Sequence, residues 1–313
     1  MSKISKTLFH SFLAFIVIVV GNYVIVAQEA LTGECKAEVK TEVQAGKTDK
    51  VQLSFSRRTE KGGFNNMSSG YEYSEIKGLT REQALAGGQI RFSLVREAGT
   101  IDCDANFTNG RGVGTFTFTP NQNFVDAMKS RGFDFSAASS KNKGKYNDED
   151  NVVNRLFAAT TLNVTTALAD DLLASNFGKL ETEDLFKAAI FKVNGKFARE
   201  MKDSGFANLT FEDLVKAKIF KIDADFVKSV ASMGFNDEPF ESLVKMRIFK
   251  ITPEFINEVR AEGFQNLEIE QLVKFKIFNI NSEFIRQARN EGVPMEVEKL
   301  VQKRIGVYRA KDF

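Results

Sequence analysis

Histidine is almost missing from this chain. Its one copy, His10, falls in an N-terminal stretch that reads as a leader, so the remainder carries none. That excludes Ser-His-Asp and Cys-His nucleophilic sites and any His-ligated zinc, because each needs an imidazole as base or ligand. Trp is absent and Tyr is scarce, with 5 copies against 30 of Phe, so Phe must supply the bulk of any core. Neither sign of charge is in excess. There are 43 Lys and Arg against 41 Asp and Glu, and two of the lysines, Lys3 and Lys6, belong to the leader. A chain so balanced lacks the basic surplus on which general nucleic-acid binding leans. Only two cysteines occur, Cys35 and Cys103. In an exported protein they either pair as a disulfide or stay as two separate buried thiols. Sequence leaves both open, since pairing depends on the separation of the Cα atoms.

What is present begins with the leader. Lys3 and Lys6 precede an apolar run, Phe12–Val20, and Ile25 and Ala27 form a −3/−1 cleavage pair. Residues 1–27 are expected to be an export signal. The alternative is retention as a membrane anchor over residues 8–27, which is just long enough to span. The expected location is periplasmic or extracellular. No second run could cross a bilayer, so any membrane contact would be through an uncleaved anchor.

With 43% hydrophobic and 27% charged residues the rest is globular. Residues 31–120 read as an antiparallel β domain. Period-two alternation recurs in Val51–Phe55, Gln89–Val95, Ile101–Phe107 and Gly114–Thr119, separated by turn sequences such as Asn109–Gly114. A short helix is predicted over Thr80–Leu85. The expected product is a sandwich or curved sheet of five to seven strands. The stretch Ala45–Thr48 imitates the end of a phosphate-binding loop, but it lacks the earlier glycine and a following helix, so it reads as a hairpin turn.

From Asn121 the period becomes helical, and the sequence repeats. The phrase opening at Ile248 opens again at Ile277, and earlier at Ile219 and Ile190, at intervals of 29 residues. Six units align. Each carries a strong N-cap residue: Asn121, Thr165, Asn194, Asp223, Thr252 and Asn281. Each carries a left-handed stop eleven residues on: Gly132, Asn176, Gly205, Gly234, Gly263 and Gly292. A second helix follows, in which Ile269, Leu272, Val273 and Ile277 are assigned to one apolar face. The fold class is therefore α+β: a β domain, then a helical-hairpin array over 121–310. The first unit holds an insert near 133–148, expected to be a mobile polar loop.

Among the repeated side chains, one set invites a functional reading. Lys187, Lys216, Lys245 and Lys274 recur, as do Lys218, Arg247 and Lys276, and Lys221 with Lys250. Together they would form a basic stripe for an anionic partner, an envelope polymer or a lipid headgroup. The plainer reading is that acids in the first turn and lysines in the last turn of each second helix complement its dipole. The recurring Phe191, Phe220, Phe249 and Phe278 read as packing. Carboxylates are plentiful, and a His-free carboxylate hydrolase is the third function considered. Each acidic cluster is already accounted for by a cap or a helix face. No catalytic residue, cofactor or metal site is assigned.

The repeat resembles the units found at the C-terminal end of bacterial membrane zinc metallopeptidases of the β-lactam-sensor type and in their stand-alone exported relatives. Thr252, Pro253, Glu254, Phe255, Ile256, Arg260, Gly263, Leu272, Val273 and Ile277 carry the match. Val51–Arg58, Ile90–Phe107 and Gly110–Val125 resemble the segment that precedes those units. The peptidase domain, with its HExxH motif, has no counterpart here. The resemblance implies an extracytoplasmic sensing or binding part without its enzyme. The leading expectation is thus a non-catalytic binding, scaffold or sensing module acting through protein–protein contacts in the bacterial envelope. The alternative is a carbohydrate- or peptidoglycan-associated protein that binds through its β domain.

Overall fold

A computed structural model describes residues 31–39, 49–58, 64–136 and 152–309. The leader and its cleavage point lie outside these, as do the turn at Ala45–Thr48 and most of the first unit's insert. Among the described residues no helix is long and apolar enough to cross a membrane.

Among the described residues seven strands form one antiparallel sheet: β1 (Leu31–Val39), β2 (Lys50–Arg58), β3 (Phe64–Glu72), β4 (Ile76–Lys77), β5 (Gly88–Arg96), β6 (Gly99–Thr108) and β7 (Arg111–Pro120). Their order is β3-β2-β1-β7-β6-β5-β4, so the first and last long strands meet at the centre. The alternation seen in sequence decides the faces. Cys35, Ala37 and Val39 in β1, Val51, Leu53 and Phe55 in β2, and Phe116 and Phe118 in β7 are buried, while their neighbours point to solvent. Asn109 and Gly110 both have positive φ, which closes the β6–β7 hairpin. Gly114 permits a close approach: a Cβ there would come 1.9 Å from the Asp104 carbonyl oxygen. Helix α1 (Arg81–Ala86) starts at Thr80, whose hydroxyl and Gln83 form a capping box.

Among the described residues twelve further helices make six hairpins. The first helices are α2 (Gln122–Ser130), α4 (Thr166–Ala174), α6 (Gly195–Asp203), α8 (Ala224–Ser232), α10 (Pro253–Ala261) and α12 (Ser282–Asn290). The second helices are α3 (Val152–Leu162), α5 (Thr182–Phe191), α7 (Phe211–Phe220), α9 (Phe240–Ile248), α11 (Ile269–Ile277) and α13 (Val297–Arg304). Each predicted N-cap accepts a backbone N–H of its first turn, as when Asn194 receives Phe197 N–H at 2.9 Å and Thr252 receives Phe255 N–H at 3.3 Å. Such a cap is worth about 1 kcal/mol. Each predicted stop has positive φ. After each of the five glycine stops, the next residue's N–H returns to the helix, Phe264 to the Val259 carbonyl and Phe206 to Met201, which is the Schellman pattern.

The second helices stack on one another in chain order, α3 on α5, then α7, α9, α11 and α13. The first of them, α3, also lies on the buried face of the sheet against β6 and β7. Phe157 of α3 stacks on Phe116 at 5.2 Å and meets Phe118 and Phe55 edge-on at 5.4 and 5.9 Å. Fully burying one such ring stabilises by about 1.5–3 kcal/mol. Tyr71 of β3 donates its hydroxyl to the Thr161 carbonyl at 3.0 Å. Burial pushes its pKa up to about 12, so it keeps that proton. The change from strand to helix thus falls between Pro120 and Gln122, while one hydrophobic cluster runs through both regions.

The insert of the first unit opens as a loop, and its first residues are buried instead of polar and exposed. Phe133 and Phe135 are buried, and Phe135 meets Phe124 and Phe186 edge-on at 5.4 and 5.9 Å. The cause is local. Phe133 stands just after the Gly132 stop, where a Schellman ending turns a side chain back onto its own helix. Residues 137–148 lie outside the described part.

Candidate functional site

The lysines of the sequence stripe occupy three different environments. The first row pairs along the stack. Lys187 meets Glu212 and Lys245 meets Glu270, Lys216 reaches Glu241 at 2.7 Å, and Lys274 meets Glu298. Each bond joins the middle of one second helix to the first turn of the next, so the acids that complement the dipole also link neighbouring units. The hydrogen bond to Glu212 raises the Lys187 pKa, with burial working against it.

The second row lies over aromatic rings. Lys218 sits 3.7 Å above Phe197, Arg247 above Phe226 and Lys276 above Phe255 at the same distance. Arg247 also donates to the Lys221 carbonyl at 2.6 Å, which caps the end of the preceding second helix. The third row has a backbone role that the residue type conceals. Lys192, Lys221 and Lys250 have φ of 58°, 55° and 52°, and Asn163 and Asn279 take the same place in other units. They are the stops of the second helices, and their side chains are exposed. Sequence reading missed these stops because lysine is not a residue that signals the left-handed region.

A recurring feature missed in the sequence is an exposed isoleucine row. Ile277, assigned above to the apolar face of its helix, is 54% exposed. Buried Ile269, Leu272, Val273 and Phe275 define an arc whose centre lies roughly 120° from Ile277 at 100° per residue. The same arc to solvent takes Glu270 and Lys274. Each second helix from α5 to α11 therefore shows Glu, Lys and Ile at i, i+4 and i+7: Glu183, Lys187 and Ile190, for example, or Glu241, Lys245 and Ile248. Ile190, Ile219, Ile248, Ile277 and Ile305 are 52%, 49%, 49%, 54% and 53% exposed. They are five of the nine large apolar side chains exposed among the described residues, so the row is a feature of the surface and not scatter. The 29-residue period itself contained the signal: an apolar residue recurring out of phase with the buried face.

At Ile190 the row meets a cleft of about 560 Å³ between the sheet and the array, lined by Tyr71, Glu72, Arg96, Asn163, Ile190 and Lys192 among others. Arg96 is held in its wall by Glu75. A smaller crevice of about 190 Å³ lies on the open sheet face among Lys36, Glu38, Gln52 and Arg111.

Cys35 and Cys103 are free, buried thiols in the structure, and no disulfide joins them. They are not separate either. β7 lies between their strands, and opposite Cys35 it carries Gly114, which has no side chain to keep the thiols apart. The hydrogen bond with Cys35, followed by burial, raises the Cys103 pKa and keeps it protonated. No group of three or more His, Cys, Asp or Glu among the described residues could hold a metal ion.

Compared with family models, with curated proteins and with solved structures, the chain finds no match in any of the three. The likeness to the metallopeptidase repeats rests on the sequence motifs alone.

Proposed function

We propose that this chain is a non-catalytic exported module that acts through protein–protein contacts in the bacterial envelope, as a scaffold or sensing part. Export rests on the leader reading of residues 1–27, and the envelope setting on the resemblance of the repeats. The observation that carries the binding reading is the isoleucine row. Most recurring positions of the array serve to cap, stop, pack or ion-pair a helix. The row serves none of these, and it keeps apolar area in water in every unit from the second to the sixth. Apolar exposure repeated in register is a contact surface in a repeat protein, because neighbouring units present it as one line.

The carbohydrate reading through the β domain has less support. The crevice that belongs to the sheet alone is smaller than the roughly 300 Å³ at which ligand pockets begin, and the larger cleft at Ile190 is shared by the sheet with the array. The two readings separate by photo-crosslinking in the native cell. A photoreactive residue at Ile219 should give adducts with polypeptide, and one at Val113, exposed on the open sheet face, should not. Glycan adducts from Val113, with no polypeptide adduct from Ile219, would overturn the proposal in favour of the β domain.

A further inference from the structure

We infer that the cleft between the sheet and the array binds the free carboxyl end of a short peptide, laid as an extra strand along the edge of β3 and held by Arg96. The site is separate from the isoleucine row apart from Ile190, and either can hold without the other.

The curl of the sheet makes the cleft. β3 and β5 stand near opposite ends of the strand order, yet Tyr71 of β3 and Arg96 of β5 line the same space. The helical turn Tyr73–Glu75 bridges them, since Glu75 accepts both the Glu72 N–H, at 2.8 Å, and the Arg96 guanidinium. The ends of α3 and α5 close the other side with Asn163, Ile190 and Lys192. At about 560 Å³ the cleft falls within the roughly 300–1,000 Å³ of ligand pockets.

Two features of its wall point to a peptide. The first is an open strand edge. Among the described residues β3 pairs with β2 alone. Ser69, Gly70, Tyr71 and Glu72 all line the cleft. Successive side chains leave opposite faces of a strand, so a cleft that touches four in succession lies against the backbone edge. Such an edge offers a row of unpaired N–H and C=O groups, on which another extended chain can pair. The second is Arg96. A guanidinium has five N–H donors. Among the described residues the one hydrogen bond of Arg96 goes to Glu75, and its Nε is buried without a partner. A desolvated donor needs a further acceptor, and the planar fork of a guanidinium matches a carboxylate.

Charge narrows the ligand. Glu72 and Glu75 cap the turn between them, and each has a cation beside it: Lys50 lies 3.9 Å from Glu72, and Arg96 bonds Glu75. Lys192 makes no ion pair among the described residues. It stands where α5 ends and offsets the partial negative charge that the ends of α3 and α5 bring. The cleft is thus near neutral overall and has no general pull on anions. A short peptide is neutral overall too, with a carboxylate at one end and an ammonium at the other. Leu162 and Ile190 offer apolar contact to a small side chain.

Isothermal titration of the full chain with tri-alanine tests the site. Tri-alanine should bind, and its C-terminal amide should bind about tenfold more weakly, the loss of one charge-assisted pair. Arg96→Lys keeps the charge beside Glu75 but not the fork. It should weaken tri-alanine by a similar factor and leave the amide unchanged. On adding tri-alanine, hydrogen exchange should slow at Ser69–Glu72 and stay as it was in β1. Equal affinity of acid and amide for the wild type would overturn the inference, whether or not the variant folds. Inorganic phosphate that binds as tightly as tri-alanine would reduce the cleft to an anion site. Binding with no protection at Ser69–Glu72 would rule out the added strand. Absence of tri-alanine binding would sink the inference altogether, and would leave the Ile219 photo-adducts of the protein-binding reading untouched.

Discussion

Phe55 in β2 touches Phe157 in α3 with nearly all of the remaining sheet between them in sequence, whereas Lys245 touches Glu270 in the adjoining unit. The two contacts typify their regions. The sheet is closed by partners from distant parts of the chain, β1 beside β7 and α3 across β6 and β7, and each contact there occurs once. The array is closed by neighbours, and each contact recurs with the period. Cutting one contact in the sheet removes something nothing else supplies. Cutting one in the array leaves its counterparts in the other units in place. The first unit belongs to both regions: α2 keeps its Asn121 cap and Gly132 stop, while α3 is spent on the sheet.

That contrast can be broken most sharply at Phe157. Phe157→Ala removes the ring that Phe55, Phe116 and Phe118 surround and should cost about 3–5 kcal/mol. Urea unfolding followed by hydrogen exchange should show the sheet and the first units losing protection together. Loss confined to α3 would mean that the sheet does not depend on the array.

At Gly263 the effect should be smaller and local. No atom lies within 4 Å of where a Cβ would stand, so only the positive φ of 98° opposes a side chain. Gly263→Val should cost about 1–2 kcal/mol, because a β-branched residue resists that region. Exchange should quicken in α10 and α11 and not in the sheet. A melt indistinguishable from wild type would misplace the helix stop.

Lys250 tests the same physics with the opposite sign. It holds φ of 52° without the freedom of glycine. Lys250→Gly should raise stability by up to about 1 kcal/mol in chemical denaturation. A loss would show that the lysine side chain contributes more than its backbone strain costs.

The smallest effect belongs to the capping box of α7, where Asp213 accepts the Thr210 N–H at 3.1 Å and its own N–H reaches the Thr210 hydroxyl at 3.2 Å. Burial works to raise the Asp213 pKa, and the bonds from Thr210, with help from Lys216, outweigh it and leave it lowered. A lowered folded pKa means that the contribution is complete above the unfolded value of about 3.9. It is lost as pH falls through the lower folded value. Asp213→Asn should cost about 0.5–1 kcal/mol at neutral pH and little at acid pH. An equal cost at pH 7 and pH 2 would contradict the charged box.

The sequence by itself determined the unit of the array. Asn194, Asp223 and Thr252 cap, and Gly205, Gly234 and Gly263 stop, because these residues satisfy or adopt backbone states that others do not, whatever surrounds them. It determined strand faces for the same reason, since side chains alternate across a strand in any sheet. Tertiary structure decided what depends on neighbours. It turned the first unit's second helix onto the sheet, buried Phe133 and Phe135, and brought Cys35 and Cys103 together across Gly114. It divided one apparent lysine stripe into ion pairs, ring contacts and left-handed stops. It also moved Ile277 from the assigned apolar face to the surface. Which arc of a helix is buried is set by the helices packed against it, and a period of 29 residues reports that a side chain recurs without reporting which way it faces.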